Sequence, residues 1–392
     1  MKKSLLALAL SGVFALSAHA QSSVTLYGRI DTGIQYQTGM PQGNLFSMET
    51  GNWDTPRFGL KGSEDIGGGT KVIFTLEAGF NSLDGSIGST LFSRQATIGA
   101  ANPTWGTFKV GNMGAYELQQ DSFDLDPQLM MLYGIQTLVR GRNWSDASNG
   151  FEYTSPTLGG LRVKGQYELT NSPNWNSGDP GSGPGQLGGA QGRSDGIELS
   201  YDAGIAHLLA IYDEIRDSNG EFDNVYVNSR SVMAGGTLAV GPVTLYSGYQ
   251  HLSAPQASDE GYFGDEAATS LPSGVSLPTA VDQEWIGARW NATATTGFGA
   301  AVYHTNANHG NGNATLWTLT ATYALSKRTV LYSEVATVRN SSTSNIGLGD
   351  GYSDPYGANV VDDPASGAAN SRTDPNFGGS QTGVFAGILT HF

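Results

Sequence analysis

Across most of its length this sequence alternates apolar and polar residues one by one, in stretches of about ten, and that period is the strongest constraint on its fold. Residues 24–36 set the pattern: Val24, Leu26, Gly28, Ile30, Thr32, Ile34 and Tyr36 interleave with Thr25, Tyr27, Arg29, Asp31, Gly33 and Gln35. Successive side chains on a strand point to opposite faces, so each stretch has one apolar and one polar face. Sixteen candidate strands can be traced: 24–36, 55–64, 71–80, 92–100, 107–111, 151–155, 161–169, 196–202, 206–215, 230–240, 243–252, 283–291, 296–305, 314–325, 330–338 and 382–392.

Their connections alternate between short and long. Tight turns such as Gly67-Gly68-Gly69, Asn102-Pro103-Thr104 and Gly241-Pro242 alternate with long stretches such as 171–193 and 340–376, rich in Gly, Pro, Ser and Asp. The 55 glycines far exceed the ~7% of ordinary usage, yet follow no collagen-like period. A soluble sandwich also alternates, but its strands are usually shorter and its loops need not alternate in length. Strands of ~9 to 11 residues are the length that crosses a bilayer when tilted, and an even number closes without an edge. Closure matters because backbone groups in hydrocarbon must all pair within the sheet. The expected fold is all-β: a 16-stranded antiparallel transmembrane β-barrel with apolar residues toward lipid and polar ones toward the lumen.

Residues 1–20 read as a secretory signal, with Lys2 and Lys3, an apolar run at 5–16 and Ala18-His19-Ala20 as cleavage site. That leaves 21–392 as a single barrel domain, since no linker or compositional shift divides it. The formal net charge is −15, and about −17 without the signal's two lysines, which excludes nucleic acid as a partner. The chain has no cysteine, so no disulfide staples an exported protein of this size.

Catalysis finds no support. A nucleophilic serine needs an activating base, usually histidine, and none of His207, His251, His304, His309 and His391 adjoins a G-x-S-x-G turn. Asp121, Asp124 and Asp126 lack calcium-loop spacing. Neither a metal nor any other cofactor is expected.

Several stretches resemble the general diffusion porins of Gram-negative outer membranes, in particular their betaproteobacterial branch. They are Ser23-Val24-Thr25-Leu26-Tyr27-Gly28, Arg57-Phe58-Gly59-Leu60-Lys61-Gly62-Ser63-Glu64-Asp65, Ser93-Arg94-Gln95-Ala96, Tyr153-Thr154-Ser155-Pro156, Tyr323-Ala324-Leu325-Ser326-Lys327-Arg328-Thr329 and the terminal Phe392. The resemblance implies an outer-membrane homotrimer among lipid and lipopolysaccharide, whose third external loop folds inward to narrow a pore for small hydrophilic solutes and ions. It also implies that Phe392 is the signal read by the barrel-assembly machinery.

Residues 112–149 occupy the place of that loop. A connection this long is either functional or a sign of misread surroundings. Selectivity in pores comes from diameter and from charges lining the narrowest part. The loop carries Glu117, Asp121, Asp124 and Asp126, and the strands before it carry Arg29, Arg57, Lys61, Arg94 and Lys109, mostly on polar faces. The phase of Arg94 is ambiguous, because Ala96 and Ile98 share its face. In the family, loop acids opposite wall arginines set up a transverse field. Asp126, Pro127 and Gly134 have the order of a cap, first position and exit of a short helix, with 129–132 as an apolar docking patch. Arg140 and Arg142 are alternative partners for the loop acids.

Tyr36, Phe80, Trp285, Trp290, Tyr332 and Phe392 lie near strand ends and suit interfacial aromatic girdles. An adhesin or anchoring barrel is disfavoured, because sixteen strands leave a lumen. A solute-specific channel is the main alternative; an aromatic slide or dense arginine ladder would mark one, and only Arg162 and Lys164 point that way.

Overall fold

A computed structural model describes residues 23–392 apart from 42, 89, 145–147, 170–191, 218, 258–275 and 350–373. The signal segment 1–20 therefore lies outside the described residues, as do most of the loops at 171–193 and 340–376.

Alternation produces the expected barrel. The strands are β1 (Ser23–Met40), β2 (Gly43–Thr50), β3 (Arg57–Gly67), β4 (Thr70–Gly79), β5 (Gln95–Asn102), β6 (Gly106–Asn112), β7 (Gly150–Thr154), β8 (Leu161–Leu169) and β9 (Arg193–Asp202). They continue as β10 (Ala206–Arg216), β11 (Arg230–Val240), β12 (Val243–Ser253), β13 (Ala280–Asn291), β14 (Thr296–Ala307), β15 (Ala314–Ala324), β16 (Thr329–Asn340) and β17 (Ser380–His391). Every strand pairs antiparallel with its neighbours, and β1 closes on β17 from Arg29 opposite His391 to Gln37 opposite Gly383. The ladder closes through the β1–β17 pairing, as a strand-built span in lipid requires.

Seventeen segments fill sixteen barrel positions, because β2 and β3 lie end to end along the same edge of β1. The sequence reading traced only the second of the two. Between them, residues 51–56 leave the ladder. Turns at one end are short, as at Gly67-Gly68-Gly69, where all three residues have positive φ that only glycine adopts freely. The other end carries the long connections.

The outer surface is an apolar belt, with Leu26, Ile286 and Leu319 each more than three-fifths exposed, as lipid contact requires. The inner surface divides in two. From β1 to β9 the inward positions are polar: Asp31, Arg57, Glu77, Glu152, Lys164 and Glu198. From β10 to β17 they include Leu209, Ile211, Met233, Trp285, Tyr303, Leu316, Phe385 and Leu389, all buried. These form one core with Leu118, Phe123, Leu125, Met131, Leu132, Tyr133, Ile135 and Leu138 of the long loop. The hydrophobic core thus lies inside the barrel, between the third long connection and one half of the wall. At roughly 2 kcal/mol per buried large side chain, this apolar seam is ample reason for the loop to fold inward.

Two aromatic assignments are corrected by the alternation itself. Trp285 and Trp290 are an odd number of residues apart and so point to opposite faces; Trp290 is half-exposed on the outside, whereas Trp285 is buried within. Tyr332 is likewise buried and inward, while Tyr36 and Phe392 face outward.

Candidate functional site

The long loop leaves β6 at Met113 and passes through a short 3-10 segment, Leu118–Leu125. The expected helix after Asp126 does not form: Leu129 and Met130 adopt positive φ, 56° and 66°, which breaks helical geometry. Asp126 still caps the turn, its carboxylate accepting the amides of Gln128 at 3.2 Å and Met130 at 3.1 Å, and the Tyr303 hydroxyl donates to the same group. The loop is fastened along its length by Trp285 Nε1 to the Leu125 carbonyl at 3.0 Å, Arg289 to the Pro127 carbonyl at 3.1 Å, and the Tyr133 amide to Glu334 at 3.1 Å.

Among the described residues, Arg140 and Arg142 meet partners other than Glu117, Asp121, Asp124 and Asp126. Arg140 reaches Asp374 and, at 2.9 Å, Asn345. Arg142 binds Asp213 and, at 3.0 and 2.8 Å, Ser229. Both are almost wholly buried and tie the returning arm to the wall and to the last long connection.

The four loop acids separate into two classes. Glu117 and Asp126 are completely buried, Glu117 accepting from Gln119 and, at 2.8 Å, from Ser194. Burial pushes the Asp126 carboxyl up to about 6, against its hydrogen bonds from Tyr303 and the two amides. Neither acid faces water, so both fix the loop. Asp121 and Asp124 are reached by solvent. Asp121 meets Lys164 Nζ at 2.7 Å. Burial pushes its carboxyl up, but Lys164, a hydrogen bond shared with Glu198, and Arg162 outweigh this and hold it below the usual range. Asp124 meets water, yet partial loss of hydration and the Asp121 charge raise its carboxyl above that range.

The wall opposite presents the basic residues. Strand register sets Lys109 directly across from Glu152, and the two join at 2.5 Å; Glu152 also accepts from Gln166 at 2.6 Å. Arg57 and Arg94 reach Glu77 at 3.5 and 2.9 Å, and the hydroxyls of Tyr27 and Tyr116 donate to the same carboxylate at 2.8 Å. Arg29 and Arg57 share Asp54. Arg94 precedes β5 by one residue, so strand phase does not apply to it and its side chain turns inward. Lys61 lies further toward the short-turn end, over the Tyr27 ring at 5.3 Å. Phe392 sits at the closure seam, its backbone paired with Gly28.

Sequence reasoning named the cations of this wall, Lys164 among those singled out, and missed the carboxylates beside them, Asp54, Glu77, Glu152 and Glu198, as site residues. A signal existed for the strand members: each is an ionisable residue at an inward position of a membrane strand, where such a group is a site candidate by default.

A family model for Gram-negative porins matches residues 5–343. An outer membrane porin protein of Bordetella pertussis is 31% identical over 297 residues, covering 70% of this chain and 74% of that one. Among solved structures, the anion-selective porin from Comamonas acidovorans superposes with a TM-score of 0.71 at 21% identity, over 95% of this chain and all of that one. The in-vitro folded trimer form of OmpT from Vibrio cholerae gives a TM-score of 0.58 at 12% identity, over 95% of this chain and 99% of that one; at these identities the likeness concerns the fold.

Proposed function

We propose, from the premise that the chain belongs to the Gram-negative porin family, that its passage runs between two unlike surfaces, the acidic arm of the inward loop and the basic wall of β1 to β9. The protein is an outer-membrane porin, a water-filled channel for passive diffusion of small hydrophilic solutes and ions. The observation that carries the proposed path is the division of the inner wall: the loop packs its apolar side chains on β10 to β17, while β1 to β9 present charged and polar side chains that meet the loop through ion pairs and hydrogen bonds. On the loop, Asp121 and Asp124 face the passage. On the wall, Arg29, Arg57, Arg94 and Lys109 face it, with Lys61 nearer the short-turn end.

Nearly every cation on this wall has a carboxylate beside it, so the lumen carries little net charge and selectivity is weak. A homotrimer is the assembly we favour, in line with the trimer form of the Vibrio cholerae neighbour. Its surroundings are lipid and lipopolysaccharide, and Phe392, half-exposed beside β17, is the residue offered to the barrel-assembly machinery.

Reconstitution into planar lipid bilayers tests this reading. Conductance rising in steps of three is expected, with a reversal potential close to zero in a salt gradient. Absence of conductance from correctly folded protein overturns it.

A further inference from the structure

The second barrel position is interrupted in an unusual way. Thr50 of β2 lies opposite Thr32 and Arg57 of β3 opposite Arg29, so residues 51–56 face only Ile30 and Asp31. An ordinary bulge sets two residues against one; here the surplus forms an excursion into the lumen. Gly51, at φ +75°, starts it, and Pro56, lacking an amide donor, ends it. Asp31 holds it there, one carboxylate oxygen accepting the amides of Trp53 and Asp54 at 2.9 Å each, the other accepting from Tyr332. Trp53 then donates to the Leu129 carbonyl at 2.9 Å, and the Leu132 amide to the Asn52 carbonyl at 2.8 Å. The excursion therefore bridges the wall and the turn of the long loop.

The register that creates the gap also creates a charge problem. Arg29 and Arg57 are direct cross-strand partners, and like charges so placed repel. Asp54 puts one carboxylate oxygen on each guanidinium. The outcome is an alternating row, Arg29, Asp54, Arg57, Glu77, Arg94.

We infer that residues 51–56 are a second constriction element and that Asp54 is a specificity-determining residue, which restrains the anion preference of the arginine row. This rests on reading the basic wall as a side of the passage. Three guanidiniums share two carboxylates here. Glu77 is buried behind them and accepts from two tyrosines as well, whereas Asp54 stands at the excursion, between the two arginines nearest the seam.

Reversal potentials of Asp54→Asn and Arg57→Gln channels in a salt gradient test this. Removing the Asp54 charge is expected to shift the anion-to-cation permeability ratio about threefold toward anions, and Arg57→Gln to shift it oppositely. A shift for Arg57→Gln with none for Asp54→Asn overturns the role of Asp54 while leaving the wall in place. No shift for either overturns both. Asp54→Glu, which keeps the carboxylate, retains the parental ratio, and Asp54→Ser replaces Asp54→Asn in the test where the latter assembles poorly.

Discussion

The hydroxyl of Tyr303, on β14, donates to the buried carboxylate of Asp126, at the point where the inward loop turns back along the wall. Burial raises this carboxyl from 3.8 to about 6, so the docked loop binds a proton more tightly than an undocked one. The contribution of protonation to docking is full below the ordinary value and is lost as pH rises through 6. Hydrogen exchange at the Gln128 and Met130 amides, corrected for intrinsic rate, should be slower at pH 5 than at pH 7.5. Asp126→Asn should remove that difference; equal protection in the parent protein at both pH values contradicts it.

The loop acids should differ in what they do to ions. Asp121→Asn and Asp124→Asn are each expected to move the reversal potential toward anion preference, and Asp126→Asn to leave it unchanged, because of the three only the first two are reached by solvent. Acidification adds a second check. Asp124 is held above the usual carboxylate range and Asp121 below it, so as pH falls Asp124 loses its charge first. In the Asp121→Asn channel the residual acid effect should therefore vanish at a higher pH than in Asp124→Asn. The reverse order in a titration of reversal potential rejects this assignment.

The fold was legible because lipid enforces alternation on every strand, and the period survives any particular choice of residues. What failed was local. The segment at 43–50 went unread because the excursion that follows it has no period of its own. Trp285 and Tyr332 have the residue type of a girdle, but the phase of their strands turns both inward, where they are buried. The acids at 117, 121, 124 and 126 look alike in sequence, since what separates them are Ser194, Lys164 and Tyr303 on distant strands. Asp54 belongs to no strand and had no pattern to announce it.

Arg142 anchors the returning arm of the loop through Asp213 and Ser229. Replacing it with Met leaves Asp213 buried without its cation, a loss of about 3–5 kcal/mol for a pair of this kind. A lower melting temperature and noisier single-channel currents are expected for Arg142→Met. Adding Asp213→Asn should recover much of the stability, because the uncompensated charge is then gone. If the double variant melts no higher than the single one, the pair is not what holds the arm.

Closure of the barrel depends on a glycine. Gly28 exchanges backbone hydrogen bonds with Phe392 at 3.2 and 3.0 Å. A Cβ at this position would lie 2.3 Å from the Phe392 ring and 2.7 Å from the Arg57 carbonyl oxygen. The ring end can swing aside, but the carbonyl belongs to the β1–β3 ladder and cannot move without breaking it. Gly28→Ala is therefore expected to lower the temperature at which the barrel loses its heat-modifiable mobility on SDS gels, and Phe392→Ala in the same chain should restore only part of the loss. Full restoration by Phe392→Ala would mean that the ring, and not the ladder, demands glycine there.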